Sequence, residues 1–472
     1  MKKERCCLRI ARETGLLWLV LFFPVMLQAQ EKHYTADSVT GHGKLASLIK
    51  SGEFEFHMRS FYMQTINKGD LMDYASWAQG AGLGYYSPSF KGFHVGFSGF
   101  FVFQVFENNL RVTDPRTGSI NRYEILLYDM NDYKNRKSLD RLEHLYLSYL
   151  RKNFHAVFGR QKVNTPLLNE QDNRMRPNVF SGLTLHFHPG KWSYTTAWYS
   201  HLTMRGTVDW YTIGNSFGVY PFGRNTFGTT SDYKGNIKSK GIGVLGISWV
   251  GDRSEKAQVW NYTAENVFNL SFGQLEKKMD FGKTGLELGA QGFYQMALNE
   301  GGNPDSGKTY IMPGEKSHGY GFKVGFSNKS HGFSLNMLRI GSNGRFLFPR
   351  EWGRENFFAS LPRERFEGNG DVSAWTIKYS WSSAMDRLKG NVGMSSVRGP
   401  DLNSFYLNKY GIPSYYHFSG SLDYAFSGYL EGMDLKLLVV NKTARHPGEV
   451  PDRFRINRVD LWNLNLIMDF RF

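Results

Sequence analysis

Cysteine is nearly absent from this 472-residue chain. There are two, Cys6 and Cys7, both in the first ten residues. If those residues are removed as a leader, no thiol remains for a disulfide framework, a thiolate metal site or a cysteine nucleophile. Long apolar runs are also scarce. Past residue 30, no stretch approaches the roughly 18 residues that a membrane-spanning helix needs. Acid is in deficit, with 42 Asp and Glu against 57 Lys and Arg. No internal repeat, low-complexity linker or shift of composition marks a second folding unit.

The N-terminus reads as a secretory signal. Lys2, Lys3, Arg5, Arg9 and Arg12 make a basic start, Gly15 to Leu27 an apolar stretch, and Ala29 a small residue suited to cleavage. The expected organisation is a signal peptide at 1–29, a short periplasmic leader at 30–50 with a helical turn around 44–50, and a single domain at 51–472. Without residues 1–30 the net charge falls from +15 to +12. In an exported protein, that excess suits a positively biased pore or loops lying against anionic headgroups better than nucleic acid.

What is abundant is alternation. The last eleven residues put Trp462, Leu464, Leu466, Met468, Phe470 and Phe472 on one face of a strand. Asn463, Asn465, Asp469 and Arg471 lie opposite, with Ile467 the only apolar residue among them. Phe93, Val95, Phe97, Phe101, Phe103 and Val105 share a face in the same way, as do Leu286, Leu288, Tyr294 and Met296, and Tyr416, Phe418, Leu422 and Tyr424. Each run is about the nine to eleven residues of a tilted strand that crosses a bilayer. Aromatics at 16% suit interfacial girdles. Short polar turns, such as Asn328–Gly332, alternate with long segments at 107–140, 205–238 and 341–372. That asymmetry predicts an all-β transmembrane antiparallel barrel with short periplasmic turns and long extracellular loops. The mature length gives about 18 strands, with 16 the neighbouring even count.

The segment 159–182 resembles the OprD family of outer-membrane porins through Gly159, Arg160, Pro166, Asp172, Asn173, Arg174, Pro177, Phe180 and Gly182. Two other stretches are similar to that family, Met58–Tyr62 followed by Trp77–Gly80, and 422–437. The resemblance implies an 18-stranded barrel, inward loops that narrow the pore, and a basic row guiding carboxylate-bearing solutes such as amino acids, peptides or organic acids. On that basis Arg160, Lys162, Arg174 and Arg176 are candidate pore-lining residues. The alternative is a set of solvated loop charges, some paired with Glu170 and Asp172.

Arg59 alternates with Phe54, Phe56 and Met58, so it should face inward, either toward solute or toward a carboxylate such as Glu55. Asp172 could hold an arginine of the row or meet an ammonium group. In 341–372, Arg350 and Arg354 are candidate constriction residues. Their interleaving with Glu351, Glu355, Glu364 and Glu367 favours a largely self-neutralising surface loop.

Several motifs carry no chemistry. Gly241 to Gly246 matches G-x-G-x-x-G, but lies inside an alternating strand rather than between a strand and a helix. His186 and His188 could share a metal, though a solvated position fits them better. No cofactor is implied. The expected function is passive diffusion of small hydrophilic solutes, without catalysis. Expected partners are outer-membrane lipid, lipopolysaccharide and, through the strand ending at Phe472, the barrel-assembly machinery. A barrel enzyme of lipase or protease type and a plugged adhesive barrel are the alternatives.

Overall fold

The computed structural model describes residues 51–171, 174–220 and 223–472. The expected signal peptide, the leader and Asp172 lie outside the described residues. The strands are β1 Glu53–Asn67, β2 Tyr74–Tyr86, β3 Phe93–Asn108, β4 Arg141–Arg151, β5 Phe154–Gln161, β6 Val179–Phe187 and β7 Trp192–Thr203. They continue as β8 Tyr211–Thr212, β9 Ile242–Val250, β10 Glu255–Ala264, β11 Phe268–Phe281, β12 Thr284–Ala297 and β13 Lys316–Ser327. The last are β14 His331–Ile340, β15 Val372–Ser382, β16 Leu388–Arg398, β17 Tyr415–Ala425, β18 Met433–Ala444 and β19 Leu461–Arg471.

β8 adds two residues to the end of β7, at His201 and Leu202. The other eighteen strands form a closed antiparallel barrel, because β7 also pairs with β9 and β19 pairs back onto β1. That seam runs from His57↔Arg471 to Asn67↔Leu461. It continues in the Phe56 N–H, which donates to the Phe472 carbonyl at 2.9 Å. Closure matters because an open edge would leave backbone groups unpaired where no water can reach them.

The alternation in the sequence becomes two environments. Phe93, Val95, Phe97, Phe101, Phe103, Trp462 and Leu466 are all exposed on the outer wall. Asn463 and Asn465, between them in sequence, are each 1% exposed on the inside. The Asn465 amide donates to Asn463 Oδ1 at 2.9 Å, and the Asn463 amide to Thr65 Oγ1 at 3.0 Å, so buried polar groups are satisfied across the seam. An apolar outside and a hydrogen-bonded inside invert the pattern of a water-soluble protein and suit a bilayer.

Connections at the end bearing both described termini are short. The turn at 282–283 needs a left-handed backbone, which Gly282 supplies at φ 64°. Most connections at the other end are long, 68–73 and 265–267 being the short ones, and several fold into the barrel. Phe346, Leu347, Phe348, Trp352, Phe357 and Phe366 are buried, together with Leu167, Leu168, Phe217 and Tyr310 from neighbouring loops. The 341–371 segment is therefore an internal loop and not the surface loop its charges suggested. Arg350–Glu367 and Arg365–Glu355 pair within it, whereas Arg345 pairs with Glu315 and Glu364 with His417 outside it, and its aromatics build a core that draws it inward. The approach is close: a side chain at Gly353 would meet the Leu167 carbonyl.

The two faces predict opposite responses to charge. Phe322→Arg, on the outer wall in the middle of β13, should cost about 2–4 kcal/mol of folding stability in lipid vesicles. Asn391→Arg, on the inner face of β16, should cost under about 1 kcal/mol by the same urea titration. Equal costs would contradict the assignment of faces.

Candidate functional site

The inward loops are held to the wall by side chains contributed by the strands. The 341–371 loop crosses from β12 to β19. The Leu347 N–H donates to Gln295 Oε1 at 2.9 Å on β12, and Thr376 Oγ1 of β15 donates to the Ala359 carbonyl at 2.7 Å. Lys442 of β18 donates to the Arg363 carbonyl at 3.0 Å, and Arg363 donates to Asn465 Oδ1 at 2.6 Å on β19. Gly393 of β16 leaves the space that Leu361 fills.

The 162–178 loop packs beside it. The Asn169 amide donates to the Arg354 carbonyl at 2.8 Å, Gln171 to the Arg350 carbonyl at 2.8 Å, and Asn178 to the Glu351 carbonyl at 2.9 Å. A third loop, 109–140, is fixed by Glu124, which accepts from Thr65 on β1 and from Asn121.

Where these loops meet there is a cavity with a strongly basic lining. Arg122, Arg174, Arg205, Arg350, Arg354, Arg363, Arg365, Lys442 and Arg458 all reach it, and among the described residues the only acid on its wall is Glu364. Tyr123, Tyr220 and Tyr415 complete its polar surface. A second cavity lies on the other side of the 174–177 segment, with Met175 and Pro177 on its wall where Arg174 faces the first. Its charge is mixed, from Glu55, His57, Arg59, Glu143, His144, Lys162 and Arg471.

The expected residues divide between these settings. Arg174 lines the basic cavity; burial pushes its guanidinium down to about 10, against the pull of Glu124. Arg354 lines it too, donating to the Leu361 carbonyl. Arg350 reaches it while paired to Glu367 at 2.7 Å and stacked 3.6 Å over the Tyr410 ring. Arg59 does face inward, but its partner is Asp469 across the seam at 3.2 Å, not Glu55. Lys162 belongs to the mixed cavity and stands 3.8 Å from Glu170.

Two expectations are corrected. Arg176 is fully buried, donating to the Leu139 carbonyl at 2.7 Å and the Tyr128 carbonyl at 2.6 Å. It fastens two loops together and offers nothing to a lumen. Arg160 lies on the outward face. Its strand register pairs it with Leu145, which is exposed beside Phe97, while its neighbour Gln161 meets Thr184 inside. The Arg160 guanidinium stacks over the Trp210 ring at 4.4 Å. The alternation Phe154, Ala156, Phe158, Arg160 carried this signal, because exposed Phe158 is two residues away on the same face.

Arg122, Arg205 and Arg458 were missed. Each sits in an irregular loop where no period announces its direction. Arg363 and Arg365 belong to the loop of which one or two arginines were expected to reach the lumen, and Lys442 was missed.

Glu364 does not act as a free counter-charge in the cavity. Its carboxylate sits 3.0 Å from His417 Nδ1 and accepts from the Tyr415 hydroxyl at 3.0 Å and the Leu361 N–H at 3.0 Å. Burial by itself would raise this carboxyl. The His417 ring and Lys442 outweigh it and hold the group down to about 2. The acid is a latch between the constricting loop and β17.

No protein-family model matches the sequence, and no curated protein does. Solved structures match well. Pseudomonas aeruginosa OpdK, crystallised with vanillate, superposes with a TM-score of 0.68 at 15% identity, over 90% of this chain and 99% of that one. OccK9 (OpdG) of the same organism gives 0.69 at 14% identity, with the same coverage. OccD3 (OpdP), also from that organism, gives 0.66 at 14% identity, over 90% of this chain and 92% of that one. At such identities the likeness is one of fold, shared with these outer-membrane proteins.

The latch sets a pH window. A carboxyl held below its unfolded value of about 4.3 stabilises the fold fully above that pH and loses the contribution as pH falls toward 2. Single-channel conductance should therefore become noisy in acid strong enough to protonate Glu364. Glu364→Gln should bring the noise to neutral pH and cost about 1–3 kcal/mol, because the His417 ring, the Tyr415 hydroxyl and the Leu361 N–H lose a charged acceptor. A quiet, unchanged Gln variant at pH 7 would exclude the latch.

Proposed function

We propose that the protein is an outer-membrane channel for passive diffusion of small hydrophilic solutes, and that its lumen favours anionic, carboxylate-bearing ones. The observation that carries the reading is the basic cavity among the inward loops, lined, among the described residues, by nine cationic side chains and one engaged carboxylate. Guanidinium groups suit carboxylate because their planar N–H forks match its two oxygens and replace part of its hydration shell. The closed barrel with an apolar outer wall supports placement in the outer membrane, and the porin fold supports a conducting lumen.

The mixed cavity lies between the basic one and the short-turn end. A solute on this path would pass from a cationic region to one holding Glu55 and Glu143 beside Arg59, Lys162 and Arg471. A weaker hold there suits release, since conduction needs binding that favours entry without trapping the solute. The apolar packing of Phe348, Trp352 and Phe357 inside the loop half favours a second reading, a barrel whose lumen is plugged. Current through the folded protein separates the two.

In a salt gradient across a planar bilayer, the reversal potential should show anion preference. Arg174→Ala and Arg458→Ala should each reduce the anion-to-cation permeability ratio by about two- to fivefold, because both act on the field inside the narrowing. Arg160→Ala, outside the wall, should leave it unchanged. Cation preference in the unmodified protein would refute the anionic reading while leaving the channel intact. A folded protein that passes no current would refute the channel.

A further inference from the structure

The basic cavity differs in kind from a row of cations along one wall. Arg122, Arg174, Arg205, Arg354, Lys442 and Arg458 arrive on six separate segments, 109–140, 162–178, 204–241, 341–371, β18 and 445–460. They converge on a common space from several sides. A row can pass a single negative charge from one group to the next, whereas a convergent set presents several positive charges at once.

We propose that this cavity is a seat for compact oxyanions bearing two or more negative charges in one molecule, carried on phosphoryl, sulfate or several carboxylate groups, in preference to singly charged carboxylates. The proposal deepens the reading of the protein as an anion-favouring channel and rests on it.

Local charge balance supports the inference. Glu364 is held by His417, Tyr415 and a backbone N–H. Glu367 and Glu355 stand against Arg350 and Arg365, at 2.7 and 3.7 Å, and neither reaches the cavity wall, where cations outnumber acids among the described residues. The cations repel one another. Burial and then Arg122 and Arg350 push Arg458 down to about 9, and burial and then Arg350 lower Arg122. A single carboxylate relieves a small part of this repulsion. An anion with several charges relieves more of it per molecule immobilised, so affinity should climb steeply with ligand charge. The cavity offers Leu126, Met130 and Ile412 as its only aliphatic lining among the described residues, so charge dominates recognition.

The test uses the refolded protein in a planar bilayer in potassium chloride at pH 7, with potassium acetate, citrate or tripolyphosphate added at matched ionic strength. Citrate should interrupt chloride current at about a hundredth of the effective acetate concentration, since each of two further charge-assisted contacts adds roughly tenfold, and tripolyphosphate, with more charge, at or below that concentration. Arg122→Gln and Arg458→Gln should each remove most of that advantage, and Arg160→Ala none of it.

The heat-unfolding midpoint in detergent gives a reading that needs no current. Citrate and tripolyphosphate should raise it and acetate should not. If acetate and citrate act at similar concentrations in a conducting channel, the proposal is overturned and the channel reading survives. If the folded protein does not conduct, the channel reading fails. The midpoints then decide the seat, and equal midpoints with acetate and citrate overturn it.

Discussion

Everything in this molecule depends on the pairing of β19 with β1. A strand in hydrocarbon has no water to satisfy its N–H and C=O groups, so a sheet that spans a membrane must close on itself. The seam from His57↔Arg471 to Asn67↔Leu461 provides that closure, extended by the exchange between Phe56 and Phe472. Once the sheet is closed, side-chain direction follows from period two. Phe101, Leu245 and Phe322 go outward, and Asn463, Asn465 and Thr376 go inward.

Closure also creates a polar interior that loops can occupy. The chain uses it by sending its long connections inward and anchoring them to inward-facing strand residues. Gln295, Thr376, His417, Lys442 and Asn465 each bond the 341–371 loop, so the wall acts as a frame. Apolar side chains on the loops then pack on one another. Trp352 lies between Phe217, Phe268 and Phe348 and donates its indole N–H to Ser216. A core built from loops inside a barrel is rigid enough to keep many like charges close together, which flexible surface loops could not do. Arg350, Arg354 and Arg365 have been removed from bulk water, and the cost is offset by the Glu367 and Glu355 carboxylates, the Leu361 and Gly353 carbonyls and the Tyr410 ring.

The division of labour among the arginines follows. Arg176 is a fastener between carbonyls, Arg59 a partner for Asp469 at the seam, and Arg160 an interfacial group stacked on Trp210. Arg174, Arg354 and Arg458 form the basic cavity. All six have the same side chain, and their roles differ only in where the backbone carries them. The two cavities separated by Arg174 to Pro177 give the lumen a change of charge along its length, from strongly basic to mixed.

The sequence by itself determined the barrel, its approximate strand number, the faces of its strands and the two kinds of connection. These are local properties, because alternation over ten residues and a turn between two runs are set by neighbours in the chain. The outward position of Arg160 was legible in the same way, from Phe158 two residues earlier, although the motif around it pointed to the pore. Only the tertiary structure decided that 341–371 folds inward, that Glu364 latches to His417, and that Arg122, Arg205 and Arg458 meet. Those residues are separated by 83 to 336 positions along a chain whose loops have no period, so their meeting follows from loop paths that only the closed barrel and its buried aromatic core define.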